Sequence, residues 1–328
     1  MLFPVHVLED CEARVAGLGL EKALARLRLA CVVIALGKAS LREAVWNLPV
    51  IEAISERFPD AELRISASAQ VSQLLAAYPR RARVPAPAAG GTLEVQLQRA
   101  TQAAHLESSG SEHRLLVPNA PYPKRAQHAA AHAVDAAQVA GLPARMLRPQ
   151  LRLEAHVRKA ARALCRGLST RGFGGPLLVL APTLGGWSPA RFASVAAQLV
   201  ERIGAQGLVF GELAVPGVRQ APDASPALLA ALLSLAAVCV ADDTDWAHVA
   251  AAVGTPTLVL HGASSPDHSG PNCRHGVSAF TTQGSCQACR EQPGRRCLHC
   301  LSAHKVSRLA EQLSARSWPL DRLHRALP

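Results

Sequence analysis

Between Cys239 and Gly262 the chain reads CVADDTDWAHVAAAVGTPTLVLHG, two apolar strand-like runs around a short alanine-rich helix. Asp242, Asp243 and Asp245 crowd the join before that helix, with Thr244, Trp246 and His248. Capping a helix needs one acceptor, which Asp243 or Thr244 supplies. His248 then falls in the first helical turn, beside backbone N–H groups that carry partial positive charge. Such an end suits a phosphate, while aspartate oxygens accept hydrogen bonds from sugar hydroxyls. A diphosphate-linked sugar satisfies both. The plainer alternative is an over-decorated cap with a surface histidine.

A second signal is CQACREQPGRRCLHC, which sets Cys286, Cys289, Cys297 and Cys300 in two C-x-x-C pairs. Each C-x-x-C turn brings two thiolates to one ion, and two turns make a tetrahedral sulfur site. A structural zinc is the first expectation and iron the second, with free thiols or reversible disulfides as the alternative. Pro293 and Gly294 reverse the chain between the pairs, and neighbouring arginines offset thiolate charge. Cys273, His299 and His304 are spare ligand candidates, while Cys11, Cys31, Cys165 and Cys239 read as packed or isolated thiols.

The elements that would position these residues alternate in kind. CVVIALG (31–37) is a continuous apolar run suited to a parallel strand covered on both faces. A helix over 48–58 follows, with Val50, Ile51, Ile54 and Phe58 on one face, then the strand ELRISAS and the helix AQVSQLLAAYP. The stretch from Ala120 to Leu168 reads as mostly helical and basic. STRGFGGP (169–176) stops any regular element and is taken as the linker. The second half runs LLVLAP, SPARFASVAAQLVERIG, GLVFG, PALLAALLS, AAVCVA, AHVAAAVG and TLVLHG, strand and helix in turn. That alternation predicts an α/β fold of two Rossmann-like, doubly wound parallel-sheet domains facing a cleft. The expected domains are 1–172, with a leader over 1–30, and 173–328, which contains the cysteine-rich module 286–300. Ligands of such folds bind beyond the carboxyl ends of the strands, where the aspartate join lies.

Composition narrows the partners. Forty-nine per cent hydrophobic and 18% charged residues describe a globular chain. A net charge of +11 favours anionic partners. No helix-turn-helix or RNA-binding signature accompanies it, so no nucleic acid is expected. The longest apolar run, PALLAALLSLAAVCVA, is shorter than the roughly 20 residues a bilayer requires. No basic region leads into an apolar core at the N-terminus, so no signal peptide and a cytoplasmic location are expected.

ADDTDWAHVAAAVGTPTLVLHGASSPDHSGP resembles the donor-binding segment of the ADP-heptose:lipopolysaccharide heptosyltransferases, glycosyltransferase family 9. That family reads approximately N-D-(S/T)-G-x-x-H-L-A-A-A-L-G-T-P, then a strand, then G-x-(T/S)-x-P and G-P. On this alignment Asp243, Thr244 and His248 match residues that hold the nucleotide-sugar. Gly262, Pro266, Gly270 and Pro271 fit the following loop, and the family glycine falls on Asp245. ALGKASLREAVWNLPVIEAISERFPDAEL is similar to the family's first β-α unit, HAVDAAQVAGL and RPQLRLEAHVRKAARALC to its mid-chain helices, and LVLAPTLGGWSPARFASVAAQL to the start of its donor domain.

The resemblance implies a GT-B-type glycosyltransferase that inverts the anomeric centre without a catalytic metal or cofactor. The donor would be a nucleotide-diphospho-sugar, ADP-heptose first. The acceptor would be a lipopolysaccharide-core hydroxyl, with peripheral contact at the inner membrane. A protein hydroxyl is the alternative, because the autotransporter heptosyltransferases carry a cysteine-bound iron finger. The family's catalytic G-D pair falls on Arg42–Glu43, so Glu43 is the expected base. Its carboxylate stands one methylene further out, and a displacement near 1 Å costs on the order of a hundredfold in rate. The alternative makes Glu43 an exposed helix-start residue. The family lysine before Trp187 is absent; Thr183, Trp187 and the N–H groups around Gly185 and Gly186 remain to cradle the donor phosphate, with Arg191 nearby. These departures leave a non-catalytic binding or scaffold protein as the competing expectation.

Overall fold

The computed structural model describes residues 18–78, 90–98, 104–118, 128–145, 148–168, 175–262, 264–281, 286–291 and 297–317, without the side chains of Leu18, Gln98, His105, Pro118, Leu168, Ala288, Cys289, Arg316 and Ser317. They form two compact units. One joins the residues up to 39 with 46–147; the other joins 40–45 with those from 148 on. The linker expected at 169–176 lies mostly outside the described residues, and the helix before it belongs to the second unit.

The first unit begins with α1 (Leu18–Arg26) and β1 (Leu29–Gly37). After α2 (Leu41–Trp46) come α3 (Leu48–Arg57), β2 (Glu62–Ala67) and α4 (Ala69–Leu74). The apolar face expected of α3 is buried, with Val50, Ile51 and Ile54 wholly covered. Three strands not foreseen follow: β3 (Gly91–Gln98), β4 (His105–Ser109) and β5 (Glu112–Pro118). Leu93 and Val95 point into the core from β3, while β4 and β5 form an antiparallel hairpin on an otherwise parallel sheet. The strand order is β2-β1-β3-β5-β4. Helix α5 (Ala129–Val139) ends this unit's regular structure. The described residues 140–145 and 148–154 that follow are not helical, and the helical expectation for 120–168 is met by α5 and by the helix Ala155–Leu168 of the second unit.

The second unit holds α6 (Ala155–Leu168), β6 (Leu177–Ala181), α7 (Pro189–Ile203), β7 (Gln206–Val209), β8 (Arg219–Gln220) and α8 (Pro226–Leu233). It continues with β9 (Val238–Asp242), α9 (Asp245–Ala252), β10 (Thr257–Leu260), α10 (Pro266–Ser269), β11 (Gly276–Ala279), α11 (Gln287–Glu291) and α12 (Ala303–Ser317). Its sheet is parallel throughout, ordered β11-β10-β9-β6-β7-β8. Leu178, Leu180, Val240 and Leu260 pack with α7 and α12 on one face, while Val179, Ala241 and Val259 are buried on the other. Strands β6, β9 and β10 are buried along their whole length, as covering on both faces requires. The chain leaves β6 toward β7 and β8, then returns to the opposite side of β6 as β9. The strand order therefore reverses between β6 and β9, where doubly wound sheets open their ligand crevice.

Candidate functional site

The expected polar join stands at this switch point. Thr244 is the N-cap of α9, its Oγ1 accepting from the Ala247 N–H at 3.4 Å. Asp243 therefore turns to other partners. Its Oδ1 meets His248 Nε2 at 3.2 Å and Arg42 Nη1 at 3.1 Å, and its Oδ2 accepts from the Ser269 hydroxyl at 2.7 Å. Burial alone would raise this carboxyl's pKa, but the His248 bond, the Arg42 charge and the Ser269 bond outweigh it and hold the group well below the usual carboxylate range. His248 is 2% exposed, so it is a buried partner of Asp243 and not the surface residue of the plainer alternative.

Asp242, the last residue of β9, was not among the expected site residues. It is 2% exposed, and its two oxygens are shared between the ends of the loop that follows β6. The Thr183 N–H donates to Oδ2 at 2.9 Å and the Trp187 N–H to Oδ1 at 3.1 Å. Burial pushes its pKa up to about 6 despite these two bonds, and the neighbouring Asp243 adds to the rise. A Cβ on Gly186 would lie 2.1 Å from Asp242 Oδ2, so only glycine lets the loop close over this carboxylate. The loop N–H groups at 183 and 187 thus already hold an internal anion. Thr183 and Leu184 stand exposed at the tip.

The side chain of Trp187 corrects one expectation. It is 1% exposed, packs edge-on against Phe192 at 5.2 Å and donates its indole N–H to the Leu301 carbonyl at 3.2 Å. Its apolar bulk makes it core, and only its backbone serves the loop. Gly262 lies at the end of β10, where a Cβ would meet the Leu298 side chain at 3.1 Å. It admits the cysteine module to the switch-point edge. Arg191 serves the same junction, donating to the His299 carbonyl.

Residues 40–45 bring Arg42 and Glu43 to this unit. Ser40 and Glu43 form a reciprocal capping box: the Ser40 N–H donates to Glu43 Oε2 at 2.9 Å and the Glu43 N–H to Ser40 Oγ at 3.3 Å. The spacing S-x-x-E just before an apolar run announces this box in the sequence. Arg42 reaches the aspartate join. Its Nε donates to Asp245 Oδ1 at 3.2 Å and its Nη2 to the Asp243 carbonyl at 2.7 Å, while the Leu41 N–H donates to Asp245 Oδ2 at 3.1 Å. Asp245, where the family pattern has glycine, is thus matched by a cation where the pattern also has glycine.

Three of the four expected metal ligands converge. The sulfurs of Cys286, Cys297 and Cys300 all lie within 4.8 Å of one another, and the side chain of Cys289 is outside the described residues. The Cys286 and Cys297 sulfurs are 3.7 Å apart. Bonds of about 2.3 Å at tetrahedral angles put thiolates about 3.8 Å apart, so the spacing fits a metal-thiolate centre. The Cys286 N–H pointing at the Cys300 sulfur at 3.4 Å suits such a centre too. These sulfurs could hold a metal ion.

Among solved structures, the chain is similar to a glycosyl transferase family 9 protein from Veillonella parvula DSM 2008, with 15% identity and a TM-score of 0.66 over 89% of this chain and 99% of that one. It is similar to E. coli ADP-heptose lps heptosyltransferase II, with 16% identity and a TM-score of 0.64 over 88% and 99%. The iron-containing dodecameric glycosyltransferase TibC from enterotoxigenic E. coli H10407 matches at 15% identity and a TM-score of 0.55 over 89% and 78%. At such identities the likeness shows the fold, which is that of the GT-B heptosyltransferase structures. No curated protein matches the sequence. The family model of glycosyltransferase family 9 (heptosyltransferase) matches residues 96–297, more than half of the chain, and the protein belongs to that family.

Proposed function

We propose that the second unit binds a nucleotide-diphospho-sugar at the carboxyl ends of β6 and β9, and that the protein transfers its sugar to a hydroxyl. ADP-heptose is the donor in this reading, in line with the E. coli enzyme named above, and a lipopolysaccharide-core hydroxyl is the acceptor. The observation that carries it is the convergence of the 183–187 loop, the α9 N-terminus and the Asp243–His248 pair at the switch point. Sugar hydroxyls would meet Asp243, Thr244 and His248, beside Gly262. Arg42 and the α9 N-terminus would offset the diphosphate leaving group. Glu43 would take the acceptor proton as the anomeric carbon exchanges its phosphate oxygen for the acceptor oxygen, with inversion and no catalytic metal. The cysteine module would hold zinc or iron as a structural ion. A nucleotide-sugar donor places the reaction in the cytoplasm, and among the described residues no helix is long and apolar enough to cross a membrane.

Two observations support other readings. The cysteine cluster favours a protein hydroxyl as acceptor, given that the neighbour TibC is iron-containing. The capping box on Glu43 favours a binding protein without transfer. The test is turnover of ADP-heptose by the wild-type chain and Glu43→Gln, offered a lipopolysaccharide core or an autotransporter passenger. Transfer by the wild type that falls at least a hundredfold in the variant supports the base. Equal, negligible turnover with either acceptor, alongside ADP binding, supports the binding protein.

A further inference from the structure

We infer that Asp242 is a positioning residue for the nucleotide diphosphate: its carboxylate clamps both ends of the 183–187 loop, and the loop holds the diphosphate only while clamped. This rests on the donor reading above. Two N–H groups four residues apart share one carboxylate, at 2.9 and 3.1 Å. Between them the loop turns through Gly185, whose φ of 76° is left-handed, and closes with the Gly186 N–H donating to the Thr183 carbonyl at 3.0 Å. Gly186 lies against the carboxylate, where a Cβ would stand 2.1 Å from Oδ2.

The rest of β9 is apolar and buried, Val238 through Ala241, so burial alone gives no reason for an acid at its end. A carboxylate offers an acceptor oxygen to each N–H. An amide or a protonated acid offers one carbonyl oxygen and must turn a donor group toward the other.

Among the described residues, the charged and titratable groups around Asp242 are few. Asp243 follows it, carrying Arg42 and His248, and Asp245 lies beyond. His261, at the end of β10, is held between the Ser264 and Ser278 hydroxyls. Arg191 stands over the Trp187 ring at 6.0 Å. Strand β6 brings only apolar side chains. Burial moves the Asp242 carboxyl up to about 6, so moderate acid converts the two-point clamp to one point.

The experiment measures ADP binding by calorimetry from pH 8 to pH 5 for the wild type, Asp242→Asn and Gly186→Ala. ADP itself loses charge over this range, so each profile is read relative to Asp242→Asn. The wild type should bind roughly tenfold more tightly than Asp242→Asn at pH 8, the size of one charged hydrogen bond, and converge with it at pH 5. Gly186→Ala, which pushes the loop off an intact carboxylate, should bind as weakly as Asp242→Asn with no step of its own. Thermal unfolding of Asp242→Asn at pH 8 should match or exceed the wild type, which separates lost positioning from lost fold. Parallel profiles for the wild type and Asp242→Asn, or wild-type affinity that rises in acid relative to the variant, would overturn the clamp alone. Absence of ADP binding at every pH would overturn the donor reading and the clamp with it.

Discussion

Adjacent aspartates at the end of β9 are driven in opposite directions by their neighbours. Asp242 gains two backbone N–H groups but is buried and rises to about 6; Asp243 gains a histidine, an arginine and a hydroxyl and falls. The consequences for stability have opposite signs. The folded chain binds the Asp242 proton more tightly than the unfolded chain does, where the ordinary value is 3.8, so ionised Asp242 destabilises the fold above about pH 6. A rise of about two units corresponds to about 3 kcal/mol, recovered as the pH falls from about 6 toward 4. Asp243 stabilises the fold above its ordinary value of 3.8, and that contribution is lost below it. Urea unfolding should therefore show stability rising from pH 8 to pH 5 and collapsing in stronger acid. Asp242→Asn should remove the rise and leave the acid collapse; a wild-type profile flat between pH 8 and 5 would contradict the assignment. Sequence showed that Asp243, Thr244 and His248 form a polar join, because their spacing around a helix start is local. It could not show Asp242 as the loop's anchor, because that depends on where residues 183 and 187 return in space.

Among the elements, local pattern identified every strand and helix from β6 to β10 except two-residue β8, whose brevity leaves no pattern. In the first unit it missed β3 to β5, although TLEVQLQ alternates and Ser109–Gly110 marks the hairpin turn. Polar Glu94 and Gln96 conceal a strand whose other face carries buried Leu93 and Val95. The helical expectation for 120–168 is met in α5 and α6, and Pro143 and Pro149 fall in the break between the two helices. The cysteine module shows what spacing alone leaves out. Cys297 bridges to Thr281, Leu298 packs on Gly262, and Leu301 accepts from the Trp187 indole. An ion at the sulfurs would therefore brace the donor-loop edge as well as its own turn. Purified protein should carry about one equivalent of zinc or iron per chain. Chelation or Cys297→Ser should lower the melting temperature and red-shift tryptophan emission as Trp187 meets water. Less than half an equivalent of metal, with melting and emission unchanged on chelation, would leave the module as packed thiols.

At the level of the whole molecule, the path of the chain departs from the order of its domains. It passes between units at 39–40, 45–46 and 147–148, so a six-residue piece following β1 belongs with β9 and α9. The join at α9 depends on it: Asp243 and Asp245, 11% and 35% exposed at their side chains, both pair with Arg42, itself 24% exposed. Removing the cation from half-buried carboxylates leaves their mutual repulsion uncompensated, which is more damaging than removing the whole group of charges. Arg42→Ala should therefore loosen residues 238–252, distant in sequence, while sparing β2 and β3, the strands that pair with β1. Amide exchange followed by mass spectrometry distinguishes them: roughly tenfold faster exchange in peptides from 238–252, and unchanged exchange in 62–67 and 91–98. Asp245→Gly added to Arg42→Ala, which removes one carboxylate along with the cation, should recover part of the lost protection. Loosening confined to 62–67 and 91–98 would return residues 40–45 to the first unit and take Arg42 out of the donor site.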